Sequence, residues 1–271
     1  MIEKKDFDIF RTEGFLLINR LISNELIGSL KNDIEKLMKQ DYETGIIPDK
    51  VKFQEYNGSK IIHSQCNVWK SSLGIQKIIL NKKIAEIACY LMQWSGVKLN
   101  QDTLFHVPPG FGPTSFHQDN PYQNWHTSNG VITAIIALED IEENMGGLIF
   151  VPKSHVLNSP KKRIKEDFIG SLNPQKDFEN LVELKQKNKL KKHKLLMKKG
   201  DVSLHHGDLW HGSGINKSSF YRKTISIHYM EKDAKFVTDT KNPWFSRYML
   251  KNSNEMHDSF FPTLFFKPNL N

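Results

Sequence analysis

Hydrophobic positions follow two different periods along the chain. Before about residue 97 they recur at helical spacing. Leu26, Leu30, Ile34 and Leu37 follow Ser23, and Ile84, Ile87, Leu91 and Trp94 follow Asn81. Serine and asparagine are preferred helix N-caps, and apolar residues three or four positions apart share one helix face. The pattern predicts two amphipathic helices that support a sheet from outside.

Beyond about residue 97 the pattern changes to short apolar runs separated by Pro, Gly and Asn. The runs are 103–107, 130–138, 148–151, 195–197, 202–205 and 224–229. Runs of this length with frequent turn signals are typical of an antiparallel sandwich or jelly roll. The polar stretch 158–194 predicts an insertion between strands. The aromatic stretch 244–266 is too apolar for a free end, so we expect it to pack back on the sheets.

The predicted fold is therefore mainly β with flanking helices, in one domain over residues 1–271. A helical support covers about 1–96, the jelly-roll core about 97–235, and the tail 236–271. A chain of this size is commonly a single β domain. The apolar fraction of 38% predicts a packed core.

The cysteines and the N-terminal sequence indicate the cellular compartment of the protein. Two cysteines, Cys66 and Cys89, cannot build a disulfide framework and fit a reducing compartment. The N-terminus lacks the apolar segment of a signal peptide, and the run 131–138 is too short to span a bilayer. We expect a cytoplasmic protein without a membrane partner.

The net charge of +8 is concentrated in residues 185–199, where eight of fifteen residues are lysine. Such a stretch can bind nucleic acid or an anionic membrane, or it can be an ordinary solvated surface. Arginines interleaved with aromatic residues, which would stack on bases, are missing from it. We therefore predict a solvated surface and no specific nucleic-acid partner.

The sequence His117-Gln118-Asp119 carries the first chemical signal. In an extended segment, residues two positions apart point to the same face. Two histidines and one carboxylate form an open Fe(II) site that leaves positions for a cosubstrate and O2. His211 can complete this triad if the fold brings a distant strand alongside, while His205 and His206 lie nearby as alternatives.

Arg222 is the next candidate, eleven residues after His211. A guanidinium group can hold a carboxylate through two parallel hydrogen bonds, which suits the distal carboxylate of 2-oxoglutarate. Ser213 lies two residues beyond His211 and is expected on the same strand face, where its hydroxyl can donate to that carboxylate.

Five ordered blocks extend these motifs over most of the chain. They are residues 10–19 (FRTEGFLLIN), 108–119 (PPGFGPTSFHQD), 136–147 (IALEDIEENMGG), 151–155 (VPKSH) and the block from Gly200-Asp201 through 211–216 (HGSGIN) to Arg222. In this order and spacing the chain resembles the phytanoyl-CoA dioxygenase family of Fe(II)/2-oxoglutarate oxygenases. Two positions depart from the family pattern: Val107 stands where lysine is frequent, and Lys153 where glycine is usual.

The resemblance implies a double-stranded β-helix, which is a cupin-like jelly roll, with Fe(II), 2-oxoglutarate and O2 as cofactor and cosubstrates. It favours His211 over His206 as the distal ligand, because His211 begins the HGSGIN sequence. It also implies Gln101 as a 2-oxoglutarate contact, from its place upstream of the H-x-D triplet. Tyr122, Trp125 and His126 follow Asp119 closely and are candidates for substrate selection.

The implied activity is oxidation of an aliphatic C–H bond in a small molecule, with release of succinate and CO2. Hydroxylation is the default outcome, and a small polar or anionic metabolite or natural-product intermediate is the expected substrate. Desaturation and ring closure use the same ligands, whereas halogenation is disfavoured because Asp119 occupies the position of the halide. Two alternatives remain: a non-catalytic metal-binding jelly roll, and an oxidative demethylase acting on nucleic acid.

Overall fold

The large β-sheet dominates the fold. The computed structural model describes residues 2–157, 191–238, 242 and 245–267. Within them, eight antiparallel strands form a sheet in the order β1-β8-β5-β10-β4-β3-β2, and β11 also pairs with β4. The strands are β1 (Phe15–Ile18), β2 (Lys50–Tyr56), β3 (Ser59–Cys66), β4 (Gly96–Val107), β5 (Ile132–Ala137), β8 (Val202–His206), β10 (Arg222–Glu231) and β11 (Thr263–Phe266).

A small second sheet faces the large one. It has the order β7-β6-β9, formed by His193–Lys194, Leu148–Phe150 and His211–Ser213. An isolated antiparallel bridge joins His117 to His211 at its edge. The two sheets form a jelly-roll core, so the predicted fold class is confirmed.

In the described parts of the chain, five α-helices cover the outside of the sheets: α1 (Lys4–Glu13), α2 (Asn24–Ser29), α3 (Lys31–Met38), α4 (Leu73–Ile79) and α5 (Lys82–Leu91). The Ser23 hydroxyl accepts from the Leu26 amide, and the Asn81 side chain accepts from the amides of Lys83 and Ile84, which confirms both predicted caps. The first sequence block, residues 10–19, covers the end of α1 and the strand β1. No helix in the described parts of the chain is long and apolar enough to cross a membrane.

Strand alternation divides the large sheet into an apolar face and a polar face. On β10, Ile225, Ile227 and Tyr229 are fully buried in the main core with residues of the helices. The intervening positions of β10 line a cavity between the two sheets, and they are Arg222, Thr224, Ser226 and His228. The period of two in an extended strand therefore sends the polar side chains inward toward the site.

Two element predictions need correction. The segment about 1–96 is more than a helical support, because β2 and β3 form a hairpin at one end of the large sheet. Asn57 and Gly58 have φ angles of 49° and 73° at its turn, the left-handed values that a two-residue hairpin requires. The run 195–197 forms no strand. Met197 makes one isolated bridge with Ile141, and the short strand β7 precedes the run.

The predicted insertion falls mostly outside the described residues, which resume at residue 191. Of the lysine-rich stretch, residues 185–190 also lie outside them. Lys194 pairs with Glu143 at 2.6 Å and Lys198 with Asp140 at 2.9 Å, and both lysines are exposed. Exposed pairs of this kind contribute little to stability. The solvated character of the whole stretch stays a prediction.

The aromatic tail packs back on the sheets, as predicted. Phe245 and Phe261 are buried in a cluster with Trp125, and the rings of Phe245 and Trp125 stack with centroids 4.3 Å apart. A polar contact holds the same segment, because the Tyr248 hydroxyl donates to Asp49 Oδ1 at 2.6 Å. The tail therefore contributes one wall of the cavity through Phe245.

A buried carboxyl group in β4 predicts a pH dependence of stability. Asp102 is fully buried, its Oδ2 accepts from the Val68 amide at 3.0 Å, and burial raises its pKa from 3.8 to about 8. The folded state therefore holds a proton that the unfolded chain releases above about pH 4. The contribution of this group to stability is full below that pH and is lost as pH rises toward 8. Compared with the wild type, Asp102→Asn should lose less stability between pH 5 and pH 8.

The measurement is the thermal unfolding midpoint of both proteins at several pH values across this range. Asparagine keeps an acceptor oxygen for the Val68 amide and cannot ionise. Parallel pH profiles for the two proteins would contradict the prediction.

Candidate metal centre

The backbone brings three distant ligand residues together. The His117 amide donates to the His211 carbonyl at 2.8 Å, and the His211 amide donates back at 2.9 Å. This bridge places β9 beside the segment that carries the H-x-D triplet. One ligand atom from each of His117, Asp119 and His211 lies within 4.8 Å of the other two. The triad predicted from sequence is thus brought together around one point.

Hydrogen bonds orient both histidine rings. His117 Nδ1 lies 2.8 Å from the Ser115 carbonyl oxygen, and His211 Nδ1 lies 2.9 Å from the Leu209 carbonyl oxygen. A carbonyl can only accept, so each Nδ1 carries a proton, and in the neutral tautomer that this contact selects the lone pair is on Nε2. Both Nε2 atoms lie 3.6 Å from Asp119 Oδ1. Two neutral imidazole nitrogens and one carboxylate oxygen face each other, which is a donor set that Fe(II) accepts.

The protonation states also suit a divalent metal. Burial alone raises the pKa of Asp119, but the surrounding histidines, led by His211, hold that pKa well below its usual range. Burial and the nearby His117 hold the pKa of His211 well below its usual value. Asp119 is therefore an anion and His211 is neutral at physiological pH. Metal ligands require these forms.

The alternative histidines of β8 point to opposite sides of the strand. His205 faces the triad, with its Nε2 3.4 Å from Asp119 Oδ2 and its ring centroid 4.4 Å from that of His211. The His206 ring faces away, toward Phe10 and His155, and its Nδ1 accepts from the Asp208 amide. The geometry therefore separates His206 from the metal position. His205 lies beside Asp119 Oδ2, whereas His117 and His211 face Asp119 Oδ1.

A cavity of about 890 Å³ opens beside the triad. This volume is within the range of small-molecule sites and leaves room for more than one small molecule. Arg222 and Ser213 both line it and are almost fully buried. Arg222 donates to the Met145 carbonyl at 3.1 Å, and burial lowers its pKa to about 10. The guanidinium is thus cationic at neutral pH and fixed in place.

Gln101 lies at a different level of the cavity from Arg222. In the pairing of β4 with β10, Gln101 is opposite His228, whereas Val107 is opposite Arg222. Since His228 Nε2 lies 3.7 Å from Asp119 Oδ2, Gln101 belongs to the end of the cavity near the metal position. A contact from Gln101 to 2-oxoglutarate would therefore be made near the metal and not at the distal carboxylate.

The three substrate candidates have different surroundings. Tyr122 lines the cavity, with its ring 6.4 Å from that of His117. Trp125 reaches the cavity wall, but it is 99% buried and stacked within the tail cluster. His126 is not among the residues that line the cavity. Its Nε2 lies 3.1 Å from Asn100 Nδ2, and its Nδ1 accepts from the Ser128 amide.

Several cavity residues were missed by sequence reasoning. They are Lys50 and Lys52 on β2, His63 on β3, Phe105 and Thr103 on β4, Phe111 in the proline-glycine loop, and Thr133 and His228 around Asp119. The Asn57-Gly58 turn would have revealed the hairpin that carries the first three. Alternation along 222–228 would have placed His228 on the same face as Arg222.

This arrangement defines an Fe(II)- and 2-oxoglutarate-dependent dioxygenase, with O2 as the second cosubstrate. The particular family follows from a comparison of sequences. The family model "Phytanoyl-CoA dioxygenase (PhyH)" matches residues 10–224, and the chain belongs to that family. The family predicted from the five sequence blocks is confirmed.

Individual relatives are distant. The peroxisomal phytanoyl-CoA dioxygenase of Bos taurus is 26% identical over 87% of this chain and 70% of its own length. The ectoine dioxygenase of Streptomyces coelicolor is 27% identical over 82% of this chain and 75% of its own length. Among solved structures, the non-haem α-ketoglutarate-dependent carbocyclase SnoK from nogalamycin biosynthesis superposes with a TM-score of 0.75. The superposition covers 97% of this chain and 96% of the SnoK chain at 20% sequence identity. The similarity to SnoK is therefore a similarity of fold.

Proposed function

We propose that this enzyme hydroxylates an aliphatic C–H bond of a small polar or anionic metabolite or natural-product intermediate. One observation carries the proposal: the cavity has His117, Asp119 and His211 beside it and a buried, cationic Arg222 in its wall. A metal ligand set and an anchor for a dicarboxylate in one cavity are what this chemistry needs. The overall change combines R–H, 2-oxoglutarate and O2 into R–OH, succinate and CO2.

The three triad residues would hold the iron, and their arrangement fits it. The Nε2 atoms of His117 and His211 and the Oδ1 atom of Asp119 face one another. The Ser115 and Leu209 carbonyls keep each imidazole in the tautomer that can bind a cation. When bound, Fe(II) supplies the activation of O2 that is coupled to decarboxylation of 2-oxoglutarate. The protein supplies geometry and a buried surrounding that restricts water.

Arg222 and Ser213 would hold the distal carboxylate of 2-oxoglutarate. The Met145 carbonyl fixes one edge of the guanidinium, so the remaining N–H groups are oriented before the anion arrives. The Ser213 oxygen accepts from the Thr114 amide at 3.0 Å. Its hydroxyl hydrogen is then oriented away from that amide and can donate to a carboxylate.

The remaining residues of the cavity wall favour a polar or anionic substrate. Lys50 and Lys52 bring two basic side chains to its wall, and His63 and Tyr122 add polar groups. Phe111 contributes an apolar surface, so the wall can contact both a charged group and a hydrocarbon portion. The cytoplasmic location and the lack of a specific nucleic-acid partner stay predictions.

A coupled assay tests the proposal. Purified protein loaded anaerobically with Fe(II) is mixed with 2-oxoglutarate, O2 and a set of organic acids and other polar metabolites, and succinate is measured. A substrate should release succinate in proportion to its own consumption. A product carrying one added oxygen atom would indicate hydroxylation, whereas loss of two hydrogen atoms would indicate desaturation or ring closure. Binding of Fe(II) and 2-oxoglutarate without any turnover across the set would favour the non-catalytic alternative.

Arg222→Ala should raise the 2-oxoglutarate concentration needed for half-maximal succinate release by well over tenfold. Loss of a buried charged contact that leaves its partner unpaired costs on the order of 2–5 kcal/mol. Ser213→Ala should have a smaller effect, because it removes one neutral donor. The measurement is the 2-oxoglutarate dependence of succinate release for each variant.

Lys223→Ala is the matched control. Lys223 follows Arg222 on β10, but it is partly exposed and pairs with Glu139. This variant should keep the wild-type 2-oxoglutarate requirement. An unchanged requirement in Arg222→Ala would place the anchor elsewhere. Arg247→Ala would then be tested, although Arg247 is half exposed and bound to Asp49 at 2.7 Å.

A further inference from the structure

Two histidines outside the triad lie against the same carboxylate as the metal position. His205 Nε2 lies 3.4 Å and His228 Nε2 lies 3.7 Å from Asp119 Oδ2. The Thr133 hydroxyl donates to the same oxygen at 2.6 Å. The other oxygen, Oδ1, is the one that faces His117 and His211. The two oxygens of Asp119 therefore have separate sets of neighbours.

The three neighbours of Oδ2 form one continuous row across the large sheet. Thr133 on β5 is directly opposite His205 on β8 and directly opposite His228 on β10. Gln101 on β4 continues the row beyond His228. All four side chains line the cavity. Sheet register therefore determines which side chains meet Asp119, and we name the residues His205, Thr133, His228 and Gln101 the polar row.

We propose that His205 and His228, together with Thr133, are positioning residues that hold Asp119 Oδ2, so that Asp119 binds the metal through Oδ1 alone. This inference depends on the proposed metal-binding function of the triad. A carboxylate that turned to bind through both oxygens would take a position that 2-oxoglutarate or O2 requires. The polar row prevents that turn by keeping Oδ2 engaged.

The surroundings of His205 explain why its N–H would point at Asp119. His205 is completely buried, neither ring nitrogen has a hydrogen-bond partner in the described part of the chain, and its Nε2 lies 3.4 Å from Asp119 Oδ2. A buried N–H group without a partner is costly, and Oδ2 is an anionic acceptor within reach. The ring is packed between Phe150 and His211, with centroids 5.2 Å and 4.4 Å away. This packing fixes the ring plane.

The two oxygens of Asp119 therefore have different roles in the proposal, Oδ1 toward the metal position and Oδ2 toward the polar row. Thr133 donates a hydrogen bond on one side of Asp119, where the two histidine Nε2 atoms lie 3.4 Å and 3.7 Å from the same oxygen, and the metal would supply positive charge on the other side. Partners behind a metal ligand orient it and tune its affinity, and their removal typically lowers metal affinity about 10–100-fold. The same magnitude is expected for His205 and His228.

The first test measures Fe(II) and Co(II) binding anaerobically in His205→Phe, His205→Asn and His228→Phe. The two phenylalanine variants should weaken binding of both metals about 10–100-fold, and the visible spectrum of bound Co(II) should change as the carboxylate reorients. His205→Asn retains an N–H donor and should recover part of the affinity. Ser203→Val removes another buried hydroxyl from β8 and is the control, with wild-type binding expected.

A second test removes the Asp119 carboxylate and supplies a free carboxylate in its place. Asp119→Gly should lose metal affinity, and added formate should restore part of it, because Thr133, His205 and His228 remain to orient a free carboxylate. The triple variant Asp119→Gly/His205→Phe/His228→Phe should show no rescue by formate. Thermal unfolding of the metal-free proteins identifies any variant that fails to fold. If a His205 variant fails to fold, metal binding by His228→Phe and formate rescue of Asp119→Gly still test the positioning role.

The outcomes distinguish failure of the positioning role from failure of the metal-binding triad. Unchanged Co(II) affinity and spectrum in both phenylalanine variants, or an equal loss in Ser203→Val, would overturn the positioning role while leaving the triad intact. Unchanged metal affinity in Asp119→Gly would overturn the triad itself, and with it the proposed function. Formate rescue that persists in the triple variant would show that the polar row does not orient the carboxylate.

Discussion

His211→Ala is expected to abolish Fe(II) binding and succinate release, whereas His206→Ala should keep both. The His211 Nε2 atom faces Asp119 Oδ1, while His206 lies on the opposite side of β8 with its ring against Phe10 and His155. Loss of a partner behind a ligand already costs about 10–100-fold in metal affinity, so loss of the ligand itself should cost more. The measurement is the visible charge-transfer band of Fe(II) with 2-oxoglutarate under anaerobic conditions.

The paired variants discriminate between neighbouring histidines of one short segment. Loss of the band in His206→Ala together with its retention in His211→Ala would show that the distal ligand is wrongly assigned. His205→Ala is informative as well, because it should weaken the band without abolishing it. Its position beside Oδ2 makes it a neighbour of the ligand and not a ligand.

Sequence order was enough to select the triad and Arg222. The H-x-D spacing requires only an extended backbone, whereas the preference for His211 over its neighbours came from the resemblance of the HGSGIN block to the family. The short apolar runs indicate an antiparallel sandwich or jelly roll, and the resemblance selects the jelly roll. The structure adds the bridge between His117 and His211, which no local pattern predicts, because the two residues are 94 positions apart.

The polar row could not be predicted from local sequence, because it depends on register across four strands. Thr133, His205, His228 and Gln101 are widely separated in the chain and meet through three pairings, of β8 with β5, of β5 with β10 and of β10 with β4. A shift of one residue in the register of any of these strand pairs would turn the side chains of the shifted strand to the opposite face of the sheet. Because this register cannot be read from the sequence, the sequence indicated His205 only as an alternative metal ligand.

Proximity to Asp119 in sequence was a poor guide to the substrate side. His126 is seven residues beyond Asp119, yet a short helical turn at Asn120–Tyr122 redirects the chain and His126 is buried against Asn100. In contrast, Lys50 and Lys52 are far away in sequence and reach the cavity because the β2–β3 hairpin extends the large sheet. Residues that select the substrate are therefore expected on this hairpin as much as in the segment after the H-x-D triplet.

Asp119→Gly is expected to lose the proposed hydroxylation. Without the carboxylate, two neutral histidines compensate less of the charge of Fe(II), so metal binding should weaken. Added chloride can enter the vacated position, where the Thr133 hydroxyl can donate to an anion and the His205 and His228 side chains lie close by. Efficient chlorination is not expected, because the substrate carbon must also be placed to receive the halogen.

The measurement is product mass after incubation with substrate, 2-oxoglutarate and O2, with and without chloride. Asp140→Gly is the matched control, since Asp140 is a surface carboxylate paired with Lys198 and should leave turnover unchanged. Chloride should therefore alter metal binding in Asp119→Gly and have no effect in the control. Full wild-type turnover by Asp119→Gly would show that the carboxylate is dispensable as a ligand, and the iron site would then have to be assigned to other residues near His117 and His211.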